Sequence, residues 1–239
     1  MNAVTGQFEV LRDPAALAIR VAQWMTGLAR AKKGEFAVAL SGGSTPRVVY
    51  QALAGNGLAK RFPWALVHWF WGDERFVPHE DPLSNYHMAW SAMLAHVPVP
   101  EANIHPVPTE GLGVEEAAGA YEATLKRFYG ADRLDPERPL FDVVLLGLGV
   151  DGHTASLFPQ SPVLEVADRW VAPVESQKPP RITLTYPALE SSSHTAFLVT
   201  GTEKRSILRG LLQGDRKLPA SRLQATGELR FFVDTAAAD

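Results

Sequence analysis

Apolar residues along this chain follow two rhythms. One is the short unbroken run: Phe36 to Leu40, Leu66 to Trp71, Val143 to Leu146, Thr195 to Thr200 and Leu229 to Val233. Runs of that length, bounded by Gly, Pro or polar clusters, read as strands buried on both faces. The other is the helical repeat. From Pro14 to about Lys33, Leu17, Val21, Met25 and Leu28 recur at helical spacing, and from Val114 to Tyr129 the residues Ala117, Ala120, Tyr121, Leu125 and Phe128 share one face. Strands that alternate with helices predict an α/β fold with a parallel sheet.

The boundaries carry their own signals. Asp13 caps the first long helix and Pro14 suits its first position, while Lys32, Lys33 and Gly34 end it. Phe8 to Leu11 reads as a short first strand. Helices are expected at Arg47 to Leu53, Tyr86 to Leu94 and Glu203 to Leu212, and short strands at Trp170 to Val174 and around Arg181 to Thr185. Arg133 to Pro139 and Pro219 to Arg222 read as loops. The Pro-rich stretch 97–108 joins elements without a shift in composition, so residues 1–239 read as one domain.

Composition narrows the function classes. Of 239 residues, 46% are hydrophobic and 21% charged, an ordinary globular balance with enough material for a core. A net charge of −3 provides no electrostatic footprint for nucleic acid or an anionic membrane. With no cysteine, disulfides, thiolate metal sites and a cysteine nucleophile are excluded. The N-terminal stretch has no apolar leader and no run reaches membrane-spanning length, so a cytoplasmic protein is expected.

Candidate chemistry lies where the apolar runs stop. Ligands of open α/β sheets sit at the carboxyl ends of the strands. After Leu40 comes Ser41-Gly42-Gly43-Ser44-Thr45-Pro46, a strand-to-helix loop of the kind that aims backbone N–H groups at a phosphate. After Trp71 comes Gly72-Asp73-Glu74-Arg75. Three charges at a buried strand's end suit a polar ligand: Arg75 a phosphate, Asp73 a sugar hydroxyl or a basic group. After Leu146 comes Gly147-Leu148-Gly149-Val150-Asp151-Gly152-His153-Thr154, which holds a titratable imidazole at a strand end. Gly147, Gly149 and Gly152 match a dinucleotide fingerprint, but Pro159 and Pro162 break the helix it requires. Arg181 and Lys204 lie near other strand ends and suit anion contact. Asn85 reads first as an Asx cap, with contact to a hydroxylated ligand as the alternative. His79 and His87 read as surface or capping side chains without metal-ligand spacing, and no specific role is expected of His96 or His105. No G-x-S-x-G occurs, which disfavours a serine hydrolase.

Taken together, SGGSTP (41–46), GDERFVP (72–78), SNY (84–86), GLGVDGHTASLFP (147–159), PPRIT (179–183), GTEK (201–204), PAS (219–221) and FFVDTAAA (231–238) resemble the 6-phosphogluconolactonase family, in its order and over nearly the whole chain. Glucosamine-6-phosphate deaminases share the fold and a DGH motif. They typically continue as HIAFNEP and show DEY, where this chain has HTASLFP and DER.

The resemblance implies a three-layer α/β/α sandwich with a mostly parallel, Rossmann-like sheet of the sugar-phosphate isomerase/deaminase type. It also implies hydrolysis of 6-phospho-D-glucono-1,5-lactone to 6-phosphogluconate in the oxidative pentose phosphate pathway, with no metal and no organic cofactor. In that chemistry His153 is the general base on water, oriented by Asp151 or Asp73. Backbone N–H groups from Gly149 to Gly152 are candidates for the oxyanion. Ser41, Gly42, Gly43, Ser44, Thr45 and Arg75, helped by Arg181 and Lys204, are the phosphate site. The expected partner is a small sugar-phosphate lactone, with no nucleic acid and no membrane, bound by a monomer or weak homodimer. The alternatives are a deaminase or isomerase of the same fold, and a non-catalytic sugar-phosphate sensor.

Overall fold

The computed structural model describes residues 6–55 and 57–239. The expectation about the N-terminal leader rests partly on residues 1–5, which lie outside the described residues. The strands are β1 (Gln7–Leu11), β2 (Phe36–Leu40), β3 (Val67–Trp71), β4 (Asp73–Arg75), β5 (Phe141–Gly147), β6 (Val171–Val174), β7 (Arg181–Leu184), β8 (Ser192–Val199) and β9 (Glu228–Asp234). The helices are α1 (Pro14–Ala31), α2 (Ser44–Ala54), α3 (Asn85–Ala92), α4 (Val114–Tyr129), α5 (Tyr186–Glu190), α6 (Arg205–Leu212), α7 (Pro219–Arg222) and α8 (Thr235–Ala238).

Six strands form one wholly parallel sheet in the order β1-β9-β8-β5-β2-β3, flanked by helices. The expected α/β fold is therefore present. All five residues of β2 and the first six of β5 are buried, which is why these strands are continuous apolar runs. Helix α1 starts as its sequence requires: the Asp13 carboxylate accepts from Ala16 N–H at 2.7 Å, and Pro14 follows. Its buried face, including Leu17, Val21 and Met25, joins the core, and α1 packs on α2.

Strand order sets the place of the site. From β2 the chain moves outward to β3, while β5, β8 and β9 lie on the other side of β2. The carboxyl ends of β2 and β5 thus bracket the point where the winding reverses, and the crevice there is the usual ligand position.

Several boundaries differ from expectation, each for a local reason. Asp73–Arg75 is a strand, because it pairs antiparallel with β7 in a second sheet of order β4-β7-β6. That pairing satisfies the backbone of a segment too polar to look like a strand. Helix α2 starts at Ser44, three residues early, since Gly43 at φ 108° turns the chain straight into it. Lys204 closes a 3₁₀ turn, Thr202–Lys204, and α6 starts just after it. Pro219–Arg222 is a short helix, where a loop was expected. Among the described residues, no helix is long and apolar enough to cross a membrane.

Candidate active site

At the carboxyl ends of β2, β5, β8 and β3 lies a cleft of about 330 Å³. Its floor begins at Ser41, whose backbone is held at both ends by the buried Tyr50 hydroxyl. Ser41 N–H donates to it at 2.9 Å, and it donates to the Ser41 carbonyl at 2.7 Å. Gly42 follows, and the side chain of Asn85 fills the space a Cβ there would need. Ser44 and Thr45 open helix α2, so the unpaired N–H groups of its first turn face the cleft. The Thr45 hydroxyl meets the Thr200 hydroxyl at 2.7 Å, tying this loop to the end of β8.

The loop after β5 carries the imidazole. Gly149 N–H donates to the His153 carbonyl at 2.8 Å, and Gly152, at φ 83°, donates to Gly149 at 3.0 Å. The result is a tight turn that brings Asp151 back against His153. Asp151 Oδ1 lies 2.6 Å from His153 Nδ1 and accepts the His153 N–H at 3.1 Å. Burial pushes the Asp151 pKa up, but the His153 backbone N–H, charge and ring N–H outweigh it, and the carboxyl sits below its usual value. With Nδ1–H donated to a carboxylate, the lone pair is on Nε2, which has no hydrogen-bond partner among the described residues. Gly149 must be glycine, since a Cβ there would overlap the His153 ring. The Gly149 and Gly152 N–H groups are spent within the turn, which narrows the expected oxyanion donors to those of Val150 and Asp151.

The small second sheet also lines the cleft, through Asp73, Arg75 and Arg181. In the β4–β7 register, Asp73 faces Thr183 and Arg75 faces Arg181. Side chains alternate along a strand, so these four share one face. Neither arginine forms an ion pair among the described residues. The Arg181 Nε is buried without a partner, and burial, with the Arg75 charge second, lowers its pKa. Two guanidinium groups directly opposite each other, neither in an ion pair, are unfavourable unless an anion lies between them. Lys204 lines the same cleft, with no ion pair among the described residues.

The structure brings all the expected site residues except Asp151 to the cleft lining, and Asp151 stands directly behind His153. Asp73 engages Ser156, whose hydroxyl donates at 2.7 Å, and Asn85, whose amide donates to the Asp73 carbonyl at 2.9 Å. The imidazole partner in this geometry is Asp151.

Ser156 is not singled out by the sequence, and Asn85 reads there first as a cap. Ser156 is fully buried and gives no charge signal. Asn85 looked like a cap, but Ser84 does the capping by accepting His87 N–H. The Glu74 carboxylate accepts from Arg75, Asn85 and Tyr86 N–H and from the Ser84 hydroxyl, which locks α3 beside the cleft. Its burial raises the Glu74 pKa. His79, expected at the surface or in a cap, hydrogen-bonds the Val107 carbonyl, and His105 stacks on Phe70. Among the described residues, no three His, Asp or Glu side chains gather as a metal site.

Comparison with known proteins gives the family. A family model described as glucosamine-6-phosphate isomerases/6-phosphogluconolactonase matches residues 12–231. A 6-phosphogluconolactonase of Nostoc sp. is 42% identical over 235 residues, covering 96% of this chain and 95% of its own. The Homo sapiens 6-phosphogluconolactonase is 38% identical over 232 residues, covering 94% and 88%. The crystal structure of a Thermotoga maritima 6-phosphogluconolactonase superposes with a TM-score of 0.82 at 30% identity, over 97% of this chain and all of that one.

Proposed function

The chain belongs to the glucosamine-6-phosphate isomerase/6-phosphogluconolactonase family, and from that premise we propose that it hydrolyses 6-phospho-D-glucono-1,5-lactone to 6-phosphogluconate, a step of the pentose phosphate pathway. One observation carries the reading. A carboxylate-oriented imidazole and a pair of arginines without an ion-pair partner among the described residues line one cleft. A phosphorylated lactone needs both, a base at the ester carbonyl and a cationic seat for the dianion.

His153 Nε2 takes a proton from water as the water oxygen bonds to C1. Asp151 holds the ring in the tautomer that makes Nε2 the base and stabilises the imidazolium that forms. The tetrahedral intermediate collapses by breaking the bond from C1 to the ring oxygen, and the imidazolium returns its proton to that oxygen. Base and acid are one residue, so the cycle closes without another proton carrier. General acid–base help of this kind contributes about 10²–10⁴-fold. The phosphate sits between Arg75 and Arg181, with the first turn of α2 and Lys204 adding donors and charge.

The test is turnover of freshly generated 6-phosphogluconolactone by wild type and His153→Ala, coupled to 6-phosphogluconate dehydrogenase, with spontaneous hydrolysis subtracted. The reading expects an active wild type and a folded variant at background. A wild type no faster than background would refute it. We further propose that residues 1–239 form one domain acting in the cytoplasm as a monomer or weak homodimer. Limited proteolysis, cell fractionation and light scattering test those three points.

A further inference from the structure

A carboxylate on the clamp side of the cleft supports the Arg181 charge but opposes a bound anion. Asp73 shares its face of β4 with Arg75 and sits one register step from Arg181, where a phosphate dianion would bind. An acid there repels the anion that the arginines attract. Its place is nonetheless built. Ser156, which is fully buried, donates its hydroxyl to Asp73 Oδ2 at 2.7 Å and its N–H to the Thr183 hydroxyl at 3.2 Å. The Asn85 amide spends its short bond on the Asp73 carbonyl and stands 3.4 Å from Oδ1. Asp73 forms no ion pair among the described residues. An ionised carboxylate has about four acceptor positions, and these contacts leave part of that capacity on a side chain that lines the cleft.

We propose that Asp73, pinned by Ser156 and Asn85, reads the ring hydroxyls of the substrate and makes the site specific for a polyhydroxylated lactone. What belongs against such an oxygen is a neutral donor, and the group must lie between the reacting carbonyl and the phosphate. On the lactone of the preceding reading, on which this inference rests, the hydroxyls at C2, C3 and C4 meet both conditions. Ser156 is a positioning residue in this scheme. It follows His153 by three residues in the same loop, so its two bonds to the small sheet also fix the distance between the base and the hydroxyl reader. A site built to receive a hydroxyl rejects the ligand that lacks it, because the buried acceptor is then left unpaired.

The experiment compares kcat/KM for 6-phosphogluconolactone with its 2-, 3- and 4-deoxy forms, in wild type, Asp73→Asn and Ser156→Ala. Wild type is expected to disfavour at least one deoxy lactone by about 10- to 100-fold, the range of a hydrogen bond to a charged group. That discrimination should shrink several-fold in Asp73→Asn and partly in Ser156→Ala, a change that general loss of fold would not produce. Equal rates for all four lactones in wild type, or an equal loss on all four in Asp73→Asn, would overturn the proposal. Calorimetric binding of 6-phosphogluconate and its deoxy forms separates the two readings. If wild type shows no turnover above background, the lactonase reading has failed, and loss of binding with a deleted hydroxyl still decides for Asp73, equal binding against it. Should Asp73→Asn unfold, Asn85→Ser, which removes the second contact, takes its place in both arms with the same expected loss of discrimination.

Discussion

Arg75 and Arg181 are direct partners across the antiparallel β4–β7 pair, two cations on one face that form no ion pair among the described residues, although the charges of Asp73 and Glu74 act on Arg181 from nearby. Like charges so placed destabilise a sheet until an anion enters. Arg75→Gln and Arg181→Gln should therefore each weaken 6-phosphogluconate binding by about 10- to 100-fold. The thermal stabilisation of wild type by inorganic phosphate should disappear in either variant. Unphosphorylated gluconolactone should be turned over about equally by wild type and variants. Titration calorimetry, thermal melts and steady-state kinetics check the three statements.

Asp151→Asn should keep the fold and lose about 10²-fold or more in kcat with little change in KM, because the amide no longer selects the productive imidazole tautomer. The lowered Asp151 pKa sets the pH dependence. A depressed carboxyl is fully ionised above its free value and is lost as a partner only as pH falls through the lowered one. Asp151 accordingly remains an ionised partner throughout the neutral range, and its contribution should be lost only in acid, below the ordinary carboxylate range. A pH–rate profile of both proteins measures it.

Gly149→Ala places a methyl where the His153 ring and the Asp151 carboxylate now meet. The imidazole must swing away. Activity should fall by about 10²-fold, as expected for a misplaced reacting group, while circular dichroism and 6-phosphogluconate affinity change little, since the clamp lies on β4 and β7.

A second pH effect concerns stability. His105 stacks on Phe70 at 4.4 Å and approaches His68 Nδ1 at 3.0 Å. Burial, with His68 adding to it, pushes the His105 pKa down from 6.5 to about 4. The unfolded chain therefore binds this proton first as pH falls. Stability should decline from about pH 6.5 downward and level off below about 4. His105→Phe keeps the stacking and removes the proton site, so its unfolding free energy should vary less over that window. Urea titrations at several pH values test this.

Much of the site was legible because its chemistry is local. His153 and Asp151 are two residues apart and need only one tight turn, and the Ser41–Thr45 loop is a strand-to-helix junction written in consecutive residues. Asp73, Ser156 and Asn85 were not legible as a unit. They come from three segments, and Ser156 to Asp73 alone spans 83 positions. A buried serine and an asparagine beside a helix start look the same whether they pack, cap or face a ligand. Strand β4 was hidden for a similar reason, since Asp, Glu and Arg become a strand only once β7 supplies the partner edge.

The amino-acid sequence by itself determined the α/β fold class, the identity of the strand ends that hold chemistry, and an imidazole with two candidate carboxylates, Asp151 and Asp73. Those features follow from hydrophobic period and short-range turn geometry. Tertiary structure alone decided the strand order that sets β2 beside β5, the opposition of Arg75 to Arg181, and the bonding of Asp73 to Ser156 while Asp151 takes His153. These depend on contacts between segments far apart in the chain, whose energies become available only after the sheet has assembled.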